Sequence, residues 1–133
     1  MMPAPSQGAL AIETRDEEDP LLRALLGALH HRPTALAASA ERAVLSALGA
    51  GCAAPVGAFA RVDEASSALR LDARVMSVDG RERVEASGPL ALTDSVGLEE
   101  AARLGEDVAR QLLACGAAEV TDLGATKAPR QSS

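Results

Sequence analysis

The apolar residues change period at Pro55. Before it they recur at helical spacing and after it they alternate, so the chain must join helices to a sheet rather than build either alone. On the helical side, Leu36, Ala40, Ala43, Val44, Ala47 and Leu48 share one face of a helix that Pro33 can open, with Glu41 and Arg42 off that face. Gly49 or Gly51 ends it, because glycine enters the left-handed conformation without a steric penalty. On the alternating side, Val56, Ala58, Ala60 and Val62 line one face of a first strand. Leu69, Leu71, Ala73 and Val75 alternate with Arg70, Asp72 and Arg74 in a second. The Asp79-Gly80 pair marks a tight turn, so a third strand is expected from Arg81 to Ser87 with Val84 and Ala86 turned inward. A sheet with one apolar face needs a cover. A helix capped by Ser95, with Ala101, Leu104, Val108, Leu112 and Cys115 on one stripe and Gly116 at its end, supplies it.

Ahead of this unit, residues 1 to 8 form a Pro- and Gly-punctuated loop, and Ala9 to Glu13 reads as a short buried strand bounded by charge. Asp19 followed by Pro20 signals a helix start, and Leu21, Leu22, Leu25, Leu26 and Leu29 recur at helical spacing behind it. Residues 125 to 133 read as a frayed tail. The expected fold class is α+β: a three-stranded antiparallel sheet with two helices on one face, preceded by a strand-helix segment. The expected boundary separates residues 1–29 from residues 30–133.

Composition narrows the function classes. Hydrophobic residues make up 47% of the 133, but alanine is the commonest of them and Phe59 is the only aromatic, so large core anchors are few. Nineteen acidic against 13 basic side chains give a net charge of −6, which disfavours nucleic acid and anionic membrane surfaces. No apolar run approaches a membrane span, and no basic-then-apolar leader opens the chain. Cys52 and Cys115 form no CxxC pair, so neither a zinc site nor a secreted disulfide framework is indicated and a cytoplasmic location is expected. His30 and His31 are adjacent and, on a helix, point about 100° apart, so they do not chelate one metal. No phosphate-binding loop, dinucleotide fingerprint or nucleophile elbow is present.

Three stretches go further. Met2-Pro3-Ala4-Pro5-Ser6-Gln7-Gly8-Ala9-Leu10-Ala11-Ile12-Glu13 resembles a segment of the hydroxymethylbilane synthase (porphobilinogen deaminase) family that reads Leu-Pro-Ala-x-x-Gln-Gly-x-x-x-Ile-Glu. His30 to Thr34 and then Ala40-Glu41-Arg42-Ala43 resemble a helix of the same family. Gly51-Cys52-Ala53-Ala54-Pro55-Val56-Gly57 is similar to its cofactor loop, Gly-Gly-Cys-x-x-Pro-x-Gly, with Ala50 in place of the first glycine. The three occur in family order and spacing, and the likeness extends over essentially the whole chain.

The resemblance implies a transferase of tetrapyrrole (porphyrin, heme) biosynthesis that joins four porphobilinogen molecules into hydroxymethylbilane. It also implies a dipyrromethane cofactor held through a thioether at the position of Cys52. Gly51 flanks that position, and Gln7 and Gly8 match a hinge that meets the pyrrole chain. Sulfur suits such a tether, because cysteine is a strong nucleophile even when little ionised and a thioether resists hydrolysis. A place just after a helix C-terminus does not favour the thiolate, so Cys52 reads as a tether and not an activated catalytic nucleophile. The substrate carboxylates need Arg and Lys donors, and this acidic chain has no basic cluster. In the family those donors, and the aspartate that handles pyrrole-nitrogen protons, come from N-terminal and middle domains without counterpart here. No catalytic residue is therefore assigned within the chain. Residues 1–29 resemble the hinge and the stretch that returns to the family's first domain, and residues 30–133 its cofactor-carrying third. The expected entity is a truncated, cofactor-bearing piece, inactive alone, whose residues 9–29 lack their cover and can pair in a homodimer. The alternative is a repurposed small α+β binding module in which Cys52 is bare.

Overall fold

The computed structural model describes residues 2–14 and 19–124. Its elements run α1 (Pro20–Leu29), α2 (Arg32–Leu48), β1 (Val56–Asp63), β2 (Ala68–Met76), β3 (Arg83–Ala91), α3 (Leu98–Ala114) and α4 (Ala117–Val120). The tail expected at 125–133 lies outside the described residues.

The strands form one antiparallel sheet in the order β1-β2-β3, with Ala60 opposite Leu71 and Leu71 opposite Gly88. Alternation decides which face is buried. Val56, Ala58 and Ala60 of β1 and Leu69, Leu71, Ala73 and Val75 of β2 point to one side, where α2 and α3 cover them. Leu36 and Val44 of α2 and Val108 and Leu112 of α3 complete the core and are at most 1% exposed. Each large aliphatic side chain buried this way contributes roughly 1.5–3 kcal/mol, so a handful of leucines and valines holds an alanine-rich domain together. The opposite face is open and carries ion pairs between neighbouring strands, Arg61–Asp72, Arg70–Asp63 and Arg74–Glu85.

The ends of the elements follow local chemistry. Asp19 accepts the Leu21 N–H and Pro20 opens α1. His31 caps α2 through its ring nitrogen, and Gly49 closes α2 in the left-handed conformation at φ 62°. Arg32 donates to the Thr93 and Val96 carbonyls at 2.9 and 2.8 Å, and the Ser39 hydroxyl donates to Leu98 at 2.9 Å, which fixes the start of α2 against the loop that enters α3.

Several sequence expectations are corrected. Ala9 to Glu13 forms no strand: it is irregular and exposed, with Leu10 at 93%, because among the described residues no strand offers it a ladder. The uncovered leucine stripe, by contrast, is present as expected: among the described residues α1 packs against no other helix or strand, and Leu21, Leu25 and Leu29 stand exposed. The third strand continues past Ser87 through Gly88 and Pro89 to Ala91, which an edge strand tolerates because proline's missing N–H costs no ladder bond on the outer side. Ser95 does not cap α3. Gly97 takes that position, its N–H donating to the Glu100 carboxylate at 2.9 Å, while the Ser95 hydroxyl bonds Thr93. Cys115 lies beyond the buried stripe as the exposed C-cap of α3. After Gly116 the chain adds α4, and Ala117 and Leu123 join the core.

Candidate functional site

Cys52 sits on the turn between α2 and β1, and the backbone around it is fixed from three directions. The Ala54 N–H donates to the Gly51 carbonyl at 3.0 Å, closing a tight turn with Cys52 and Ala53 at its tip. The Gly51 N–H donates to the Leu123 carbonyl at 2.8 Å, which pins the turn to the far end of the chain, and Leu123 is itself buried. The Pro55 carbonyl accepts from Met76 at 3.0 Å and starts the β1–β2 ladder. On this frame Cys52 is exposed and unpaired with any other sulfur. Its neighbours Gly51, Ala53 and Ala54 are small, so the thiol has room to carry a bulky group. Residues 49–56 contain no basic side chain, so the turn itself offers no cationic partner to an anionic group.

Gln7 and Gly8 lie in a separate pair of turns. The Gln7 N–H donates to the Ala4 carbonyl, the Gln7 side-chain oxygen accepts the Ala4 N–H at 3.1 Å, and Ala9 donates to Ser6 at 3.2 Å. Gly8 takes φ 88°, a conformation that favours glycine. Among the described residues no hydrogen bond joins this loop to the Gly51–Ala54 turn. Both lean on the same sheet, however, because Met2 and Pro3 pack against Gly57 in β1. Met2 and Pro3 also line a hollow of about 400 Å³ with Phe59, Asp72 and Arg74. A concavity of about 690 Å³ runs between α2 and α3, lined by Ser39, Arg42 and Ala43 on one side and Leu98, Ala102 and Glu106 on the other, and contains none of the four candidate residues.

Helical periodicity puts Glu41 off the apolar face of α2, yet it is only 7% exposed and accepts the Ala60 N–H at 2.7 Å and the Ser6 N–H at 2.5 Å. Within α2 it looks like any solvated glutamate. The one signal in the sequence was its place in the Ala40-Glu41-Arg42-Ala43 motif, which assigns it no role.

These features define a small open-faced α+β domain that presents a free thiol on a rigid helix-to-strand turn. The family model described as porphobilinogen deaminase, C-terminal domain, matches residues 35–114. Curated relatives agree. The chain is 44% identical over 116 residues to the porphobilinogen deaminase of Thermus thermophilus, covering 86% of this chain and 38% of that protein. It is 48% identical over 131 residues to that of Leifsonia xyli, covering 92% and 39%, and 44% identical over 138 residues to that of Cutibacterium acnes, covering 98% and 41%. The chain belongs to the porphobilinogen deaminase family and corresponds to its C-terminal part. It spans about two fifths of the length of the curated relatives it matches.

Proposed function

We propose that this chain is the cofactor-bearing part of a porphobilinogen deaminase, the transferase that condenses four porphobilinogen molecules into hydroxymethylbilane. The observation that carries the reading is the exposed Cys52 on its pinned turn, in a chain of this family. The residues present fit a covalent tether: an accessible sulfur, small flanking side chains, and a backbone that holds the attachment point still. A dipyrromethane bound there through a thioether supplies the pyrrole end from which the product grows. This chain's own contribution is to hold that sulfur in place, with Gly51 bonded to Leu123 and with Gln7 and Gly8 in the loop that meets the pyrrole chain.

The remaining parts of the site belong to the portion of the family's proteins that this chain does not span, because the Cys52 turn offers no cation for the cofactor's carboxylates. The isolated chain therefore does not consume porphobilinogen. Combined with the portion of the family's proteins that it does not span, the chain takes up the cofactor, and peptide mapping with intact mass then finds the pyrrole on Cys52 and none on Cys115. Attachment to Cys115, or turnover by the pure chain above background, overturns the assignment. In the isolated chain the uncovered leucines of α1 pair with a second copy through residues 9–29, since contiguous exposed apolar surface of this kind finds a partner.

A further inference from the structure

Among the described residues Glu41 is the only charged side chain buried in the domain, and it does no work for the Cys52 turn. An ionised carboxylate inside a protein must have its oxygens satisfied, since it only accepts hydrogen bonds and is costly to bury without them. Here the two oxygens are divided between two segments far apart in sequence. Oε1 accepts from Ala60, whose N–H faces away from β2 on the outer edge of the sheet, and Oε2 accepts from Ser6. A second set of contacts holds the same loop to the same strand: a Cβ on Gly57 would stand 3.1 Å from Met2 Cγ and 3.2 Å from the Pro3 carbonyl. Among the described residues Ser6 is one of two non-glycine residues at positive φ, 59°, and its hydroxyl reaches the Ala38 carbonyl of α2 at 3.5 Å. Immediately past Gly8 these ties stop, and Leu10 and Ile12 are exposed at 93% and 53%.

We propose that Glu41 is a positioning residue: its carboxylate latches the 2–8 loop onto β1, so that Gln7 and Gly8 travel with the sheet domain and the chain's freedom begins at Gly8. The latch rests on geometry alone and holds whether or not Cys52 carries a pyrrole. It assigns the edge of β1 a use as well, since the loop covers a strand edge that would otherwise be open to a foreign strand.

Amide hydrogen exchange and a long-range scalar-coupling NMR measurement on the full chain test it. In the wild type, the Ser6 and Ala60 amide nitrogens couple to the Glu41 side-chain carboxyl carbon, and the amides of Ser6, Gln7 and Ala9 exchange slowly. Glu41→Gln keeps one accepting oxygen and Glu41→Ala keeps none. In both, exchange at Ser6, Gln7 and Ala9 rises by roughly tenfold or more while Val44, Leu71 and Val108 keep their protection, as expected for a local opening. Loop amides that stay protected in both variants overturn the latch. So does a parallel rise in loop and core amides, which marks Glu41 as ordinary core support. Should the variants not fold, the wild type decides: coupling at Ser6 with slowed exchange supports the proposal, and free-coil exchange there defeats it.

Discussion

A Cβ on Gly105 would stand 2.2 Å from the carbonyl oxygen of Ala40, so α3 crosses α2 at a point where only glycine fits. The neighbouring obstacle is the Ala43 Cβ at 2.7 Å, and neither group can rotate aside. In an exposed helix, replacing glycine by alanine gains about 1 kcal/mol. Here overpacking of about 1–3 kcal/mol or more opposes that gain and wins. Gly105→Ala should therefore lower the melting temperature by several degrees, as read by thermal circular dichroism. An unchanged or raised melting temperature means that the two helices separate freely.

Removing residues 1–29 takes nothing from the core, whose buried members run from Leu36 to Leu123. It does take the Ser6 donor from Glu41, leaving one carboxylate oxygen to water at a cost of about 1 kcal/mol. The shortened chain should melt in one cooperative step slightly below the full chain. By light scattering the shortened chain is expected to be monomeric and the full chain dimeric, as the proposed pairing through α1 requires. Loss of the cooperative transition shows that the front segment is integral to one domain and that no boundary lies near residue 30.

Both cysteines are exposed, Cys52 on its turn and Cys115 at the end of α3. Two thiols should therefore react with a disulfide reagent in the native, unmodified chain, and only one after cofactor attachment. Retaining both reactive thiols in a preparation whose mass includes the pyrrole pair places the attachment somewhere other than cysteine.

The Glu100 carboxyl is held below its ordinary value of 4.5, first by the Gly97 N–H that it accepts and with help from Arg103. Because the folded group binds its proton less readily than the unfolded one, its stabilising contribution is complete above the ordinary value. That contribution is lost as pH falls through the lowered one. Asp63 and Asp79 are lowered as well, by the Ser66 and Ser77 hydroxyls respectively, and act in the same direction. Stability should fall on acidification below about pH 4.5, and Glu100→Gln should lower it at neutral pH while flattening that acid slope. An identical slope in the variant shows that the carboxylate does not cap α3.

Local chemistry made much of this molecule legible in advance. The alternation of Leu69, Leu71, Ala73 and Val75 against Arg70, Asp72 and Arg74 could only be a strand with one buried face, and Asp79-Gly80 could only turn it back. Asp19-Pro20 and Gly49 marked helix ends because capping depends on a few adjacent backbone groups. The sequence around Cys52 likewise identified the family and the candidate thiol. What the tertiary structure alone decided was which groups met across sequence distance. Ala9 to Glu13 had a strand's composition but needed a neighbour to pair with. Cys115 continued the helical stripe but fell one position beyond the end of α3, where it is exposed. Glu41 was indistinguishable from a solvated glutamate on the helix that bears it, because a helical pattern records spacing within one element and carries no trace of the Ala60 and Ser6 amides that the fold brings to its carboxylate.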